Sequence, residues 1–248
     1  MRILVAYAVE PEFDPWRKLR KFSVSNAGDF TIRRTQIAGA DVDFVISGMG
    51  PGRATRAMEA VTSAEYSAVV AAGLAGSLRP ELGIGNIVIP NAVCGTSEHS
   101  AQLICDAALC AEGVSAGGKF IETLVSSESI ATTVEEKHRL GKGADAVDME
   151  SFSVLASAQR LKIPAVAIRA ISDRHDQALP LDLSTTVDER GQVSIGRVLK
   201  LAAGKPGQIA SLMKLGRDSK AAAEALSHFL DAYIERLSRA AHLARSSA

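Results

Sequence analysis

Three apolar runs in this chain do not alternate, and that constrains the fold more than any other feature. Residues 3–9, 68–72 and 165–171 are stretches of Val, Ile, Leu and Ala, with Tyr7 in the first and Arg169 interrupting the third. A strand with one wet face alternates apolar and polar residues, whereas a strand covered on both faces does not. Residues 42–47 and 85–90 add two more strand candidates. Between the runs lie helical patterns. Residues 52–64 carry Ala54, Ala57, Met58 and Val61 at helical spacing. Residues 148–161 begin with acids, which favour a helix N-terminus, and stop before Pro164. Strands alternating with helices predict an α/β chain with a mixed, largely parallel central sheet flanked by helices.

The 248 residues are read as a single domain, 1–248. A polar excursion at 182–207 leads to a C-terminal amphipathic helix at about 218–240. There Leu226, Phe229, Leu230, Tyr233, Ile234 and Leu237 form one apolar face, read as packing on the main sheet. Twenty-eight basic residues balance twenty-eight acidic ones, so no net field draws the chain to nucleic acid or an anionic membrane. No apolar run approaches the roughly 20 residues needed to span a bilayer. Three scattered cysteines fit neither a disulfide framework nor a zinc site, and read as reduced cytoplasmic thiols. The five histidines lack metal-ligand spacing. A small-molecule ligand is the expectation, with no metal.

In open α/β sheets ligands bind beyond the carboxyl ends of strands. The first run delivers Glu10 and Glu12 there. The second delivers Gly73-Leu74-Ala75-Gly76, and the third Ser172-Asp173. The segment Ser47-Gly48-Met49-Gly50-Pro51-Gly52 follows a strand and opens a helix. It lacks GxGxxG spacing and an acid at the next strand end, so it reads as a tight turn rather than a dinucleotide site. Asp173 reads either as a desolvated acid able to donate a proton or as a loop acid bonded to backbone. Glu150 reads either as a first-turn helix acid or as an acceptor of sugar hydroxyls, with Met149 packing beside it.

These segments together resemble the nucleoside phosphorylase and nucleosidase superfamily. The resemblance rests on Val45-Ile46-Ser47-Gly48-Met49-Gly50, Ala72-Gly73-Leu74-Ala75-Gly76 and Leu82-Gly83-Ile84-Gly85-Asn86-Ile87-Val88-Ile89-Pro90. It continues in Ala146-Val147-Asp148-Met149-Glu150-Ser151 and Val166-Ala167-Ile168-Arg169-Ala170-Ile171-Ser172-Asp173. Two branches are most similar: the methylthioadenosine/adenosylhomocysteine nucleosidases, and the hopanoid-associated phosphorylases, which the tail at 205–219 resembles.

The resemblance implies cleavage of the N-glycosidic bond of a purine nucleoside. Such a substrate would be a 5′-modified adenine nucleoside, such as methylthioadenosine, adenosylhomocysteine or adenosylhopane. Asp173 would protonate the base at N7 and Ser172 would orient it. Glu150 would hold the ribose hydroxyls, Met149 would pack on the sugar, and Ile130 would line the base. Glu12 would position water. Gly50, Gly73 and Arg169, which lie in the matching segments, are read as further substrate-contacting positions. No cofactor is implied beyond inorganic phosphate as an optional co-substrate, and the family implies a homo-oligomer. Water or phosphate as nucleophile stays open. Leu74 stands where many family members carry a phosphate-contacting serine, and Glu12 favours water. Arg53, Ser47 and the amides near Gly50 are able to serve an anion. The competing expectation is a nucleoside-binding protein without catalysis.

Overall fold

A computed structural model describes residues 1–61, 65–96, 101–180, 207 and 209–246. Among these described residues ten strands form one sheet: β1 (Arg2–Tyr7), β2 (Ser23–Ala27), β3 (Phe30–Ile37), β4 (Ala40–Ile46), β5 (Ala68–Ser77), β6 (Ile87–Gly95), β7 (Leu103–Ile104), β8 (Lys119–Ser126), β9 (Ala146–Asp148) and β10 (Ala165–Asp173). Among the described residues six helices accompany them: α1 (Glu10–Leu19), α2 (Pro51–Val61), α3 (Ala107–Ser115), α4 (Val134–Leu140), α5 (Ser151–Arg160) and α6 (Ile209–Ser246).

The continuous apolar runs became the central strands. β4, β1, β5 and β10 lie side by side and pair in parallel. Residues 3–6, 68–72 and 166–171 are all buried, as strands covered on both faces require. Antiparallel pairing enters at the flanks, through β2–β3–β4, β5–β9 and β6–β10. Because β10 pairs with both β5 and β6, the sheet closes on itself through β5, β10, β6, β8 and β9. That closure leads β5, β9 and β10 to one rim.

α6 is much longer than the 218–240 segment expected. Leu226, Leu230, Tyr233, Ile234 and Leu237 are buried, as the pattern predicts. Tyr233 donates from its hydroxyl to the Leu109 carbonyl at 3.1 Å, and Asp231 pairs with Arg20, the residue that follows α1. The expected excursion at 182–207 falls almost wholly outside the described residues.

Other boundaries moved. Glu10 and Glu12, expected just past the end of the first strand, open α1, where Pro11 occupies the first turn. β5 does not stop at Gly73 but runs on to Ser77. Asp148 ends strand β9 instead of starting a helix.

Candidate active site

The rim where β5, β9 and β10 end opens into a cleft of about 820 Å³. Glu12, Met149, Glu150, Ser172, Asp173 and Ile130 all line it. The expected convergence of acids from distant parts of the chain is therefore present. A hollow of about 70 Å³ adjoins it beside Ile130, Met149 and Asp173.

Asp173 ends β10 through an irregularity in pairing. Ile171 pairs with Ala75, and Asp173 with the next residue, Gly76, so two residues of β10 oppose one of β5. Such a bulge re-aims side chains, and here Ser172 and Asp173 both face the cleft. Ser172 Oγ lies 2.8 Å from Asp173 Oδ1 and donates to it, the orienting contact expected. Asp173 Oδ2 sits against Gly76, where an added Cβ would lie 2.9 Å away. A glycine is thus required there by close approach rather than by backbone conformation.

Asp173 is not the lone desolvated acid that its sequence context suggests. Lys137 of α4, 1% exposed, forms an ion pair with Asp173 Oδ2. Its Nζ also donates to the carbonyls of Arg174 (2.7 Å) and Gln177 (3.0 Å). Sequence reasoning missed this residue. In Val134-Glu135-Glu136-Lys137 it looks like one more charge on an exposed helix, and nothing local distinguishes it.

Glu150 is freed from helix capping by its neighbours. The α5 N-terminus is capped by Asp148 Oδ2, which accepts from Ser151 N at 3.0 Å, and by Ser126 Oγ, which accepts from Phe152 N at 2.9 Å. Glu150 makes no cap bond. Its Oε1 accepts from Gly50 N at 2.7 Å, and burial pushes its carboxyl up to about 8 against the pull of Arg169.

Glu12 is held by three amides. Oε2 accepts from Ala8 N (3.0 Å) and Val9 N (3.1 Å), and Oε1 from Leu74 N (2.9 Å). The bond from Val9 N is the acidic half of a capping box, which the Val9 side chain has no oxygen to complete. Burial raises its carboxyl above the ordinary range, opposed by Arg169 and these amides.

Arg169 was expected at the substrate, and so were Gly73 and Gly50. None of the three lines the cleft. Arg169 lies behind it, 1% exposed, paired with Asp148 and donating to Ser151 Oγ (3.1 and 2.9 Å) and the Ala72 carbonyl (3.2 Å). Gly73 pairs with it across β5 and β10. A Cβ there would overlap the guanidinium and come within 2.9 Å of Glu12 Oε1. Gly50 acts through its amide on Glu150. The reason is charge: three buried acids, Glu12, Asp148 and Glu150, need one buried cation nearby.

The anion-binding groups expected in β4–α2 are otherwise engaged. Ser47 Oγ lies within reach of the Tyr7 and Gly48 carbonyls, and Arg53 donates to the Ser47 carbonyl while packing over Phe30. Leu74 lines the cleft where a serine would contact phosphate. The cations that do line it, Arg17, Lys18 and Lys220, belong to α1 and α6. Among the described residues no cluster of three His, Cys, Asp or Glu side chains is arranged to hold a metal, and no helix is long and apolar enough to cross a membrane.

Beyond Glu12 the cleft continues between α1 and α6. Pro11 and Pro15, four apart on one face of α1, oppose Leu212, Leu215, Gly216 and Ala223 of α6.

The chain is similar in structure to several solved nucleosidases. It matches futalosine hydrolase of Helicobacter pylori with a TM-score of 0.73 and 16% identity over 95% of this chain and 99% of that one. It matches 5′-methylthioadenosine/S-adenosylhomocysteine nucleosidase of Helicobacter pylori, bound to butyl-thio-DADMe-Immucillin-A, with a TM-score of 0.74 and 18% identity over 95% and 98%. S-adenosylhomocysteine nucleosidase of Streptococcus pyogenes gives 0.73 and 15% over 96% and 97%. No curated protein sequence matches significantly. At these identities the structures establish the fold. The phosphorylase superfamily profile matches residues 2–204, most of the chain and every site residue from Glu12 to Asp173. This chain therefore belongs to the phosphorylase superfamily, and is an enzyme of nucleoside cleavage.

Proposed function

We propose that the protein hydrolyses the N-glycosidic bond of a purine nucleoside whose 5′ position carries a large apolar group. The observation that carries the reading is the placement of Asp173, Glu150 and Glu12 on one cleft wall. Asp173 with Ile130 forms the base end, Met149 and Glu150 the ribose position, and Glu12 the site of the attacking water. Bond cleavage develops positive charge on the sugar and negative charge on the base. A proton from Asp173 to N7 neutralises the base, typically worth 10²–10⁴-fold. The carboxylates of Glu150 and Glu12 stabilise the cationic sugar, as paired carboxylates do in glycosidases. Glu12 then takes the proton of the water as it adds to C1′.

Water is favoured over phosphate by the surroundings of Glu12. A phosphate dianion beside two carboxylates needs a compensating cation, and Arg169 is spent behind the wall on Asp148. The bulky 5′ group is favoured by the extent of the cleft. Ligand pockets run from roughly 300 to 1,000 Å³, and this one lies near the top of that range. Its α1–α6 end presents Pro11, Pro15, Leu212, Leu215 and Ala223, bordered by charged side chains that include Arg17, Lys18 and Lys220, and Ile209 and Met213 on the same end of α6 are exposed. Adenosylhopane suits such a groove better than methylthioadenosine. The protein is read as cytoplasmic, with free thiols at Cys94, Cys105 and Cys110, and as a homo-oligomer.

The test is adenine release from methylthioadenosine, adenosylhomocysteine and a 5′-lipidated adenosine, each with and without phosphate. The expected result is phosphate-independent release, fastest from the lipidated substrate. Release only with phosphate replaces hydrolysis by phosphorolysis. Tight nucleoside binding with no release from any substrate leaves a binding protein.

A further inference from the structure

We infer that Lys137 is a positioning residue for the proton-donating Asp173, and that its buried charge stabilises the carboxylate formed as the base departs. The inference rests on the proposed role of Asp173. Lys137 lies outside both the cleft and the adjoining hollow, so it does not touch the substrate. Its three ammonium hydrogens match three acceptors: Asp173 Oδ2, the Arg174 carbonyl and the Gln177 carbonyl. A neutral amine would leave one of these buried acceptors without a donor, so the lysine stays charged throughout.

The proton transferred therefore comes from Asp173 and not from Lys137. A proton that Asp173 has first taken up from solvent passes from its carboxyl to N7 while the electrons of the C1′–N9 bond move onto the base, which returns Asp173 to the ionised, Lys137-paired form. The negative charge so created on Asp173 faces a fixed ammonium that needs no reorganisation, the condition under which such stabilisation is strongest. The same ammonium ties the 174–177 segment to the acid, and Ser172 Oγ holds the other oxygen. The carboxyl plane is thereby clamped from two sides.

A merely structural lysine would affect all substrates alike, whereas one acting through the acid would affect only substrates that need the proton. The experiment compares an adenine nucleoside with p-nitrophenyl riboside, whose leaving group departs unprotonated, in wild type, Lys137→Met, Lys137→Arg and Asp173→Asn. A misplacement of about 1 Å costs on the order of 10²-fold. The expected result for Lys137→Met is a 10- to 100-fold fall in kcat for the adenine nucleoside, KM within about threefold, and little change for the nitrophenyl riboside. Lys137→Arg restores part of the loss. Equal losses on both substrates, or no loss on either, overturn the inference. If Lys137→Met does not fold, Lys137→Gln, which keeps two N–H donors but no charge, is read by the same comparison. Asp173→Asn should show the same leaving-group pattern. If it turns over the adenine nucleoside at the wild-type rate, the assignment of the acid itself fails, independently of the lysine.

Discussion

Gly76→Ala should slow catalysis without touching the acid itself. A Cβ at this position would lie 2.9 Å from Asp173 Oδ2 and 3.3 Å from Val147 Cγ1, where ordinary contact begins near 3.4 Å. The carboxyl or the strand must therefore give by about 0.5 Å. Asp173 cannot swing freely, since Lys137 holds Oδ2 and Ser172 holds Oδ1. Gly76 cannot recede easily either, because it pairs with Val147 on one side and Asp173 on the other. If 1 Å of misplacement costs about 10²-fold, half that costs about 10-fold, or ~1.4 kcal/mol in the barrier. Overpacking adds roughly 1–3 kcal/mol of lost stability. The assay is kcat for adenine release, with p-nitrophenyl riboside as control and a thermal melt to establish folding. A folded Gly76→Ala enzyme with unchanged kcat, or one that loses equally on the nitrophenyl substrate, would refute the geometric argument.

Asp173→Asn should lower kcat by about 10²–10⁴ while calorimetry still detects nucleoside binding, because shape and the Ser172 contact survive. Glu12→Gln should abolish most turnover and also destabilise the fold by about 1–3 kcal/mol. Its amide nitrogen must face either Leu74 N–H or the Ala8 and Val9 N–H pair, donor against donor; denaturant unfolding measures this. Glu150 makes stability depend on pH in an unusual direction for a carboxylate. Burial pushes it from 4.5 up to about 8, so between those values the folded state binds the extra proton. Its contribution is complete at low pH and is lost as pH rises through about 8. Glu150→Gln should flatten that decline in thermal melts. In the wild type KM should fall as pH rises through the same range, because the ionised form is the better acceptor for two ribose hydroxyls.

Much of the central sheet was legible because burial on both faces leaves a direct mark on composition. The runs at 3–9 and 165–171 became β1 and β10 with small shifts at their ends, and the run at 68–72 became the first half of β5, which continues to Ser77. The face of α6 was equally legible, since 226, 230, 233, 234 and 237 must share a stripe to reach the core. β2 and β3 were not foreseen. β2 is the sheet edge and β3 its neighbour, and their residues at 23–27 and 31–36 are mostly half-buried or exposed. Glu12 and Asp173 stood out past the ends of apolar runs and Glu150 at an expected helix start, but each also had an ordinary structural reading, and their roles came from the resemblance to the nucleoside phosphorylase and nucleosidase superfamily.

What the sequence determined by itself is therefore which segments must be inside and which acids are out of place there. The tertiary structure alone decided how those acids are balanced. It turned Arg169 from a ligand contact into the cation behind the wall, and gave Gly50 and Gly73 support roles. It also brought Lys137 onto Asp173 from 36 residues away. Burial is a property of each residue's own neighbours along the chain, and periodicity records it. Charge compensation in a low-dielectric interior is a property of distances between elements, and no local pattern carries that information.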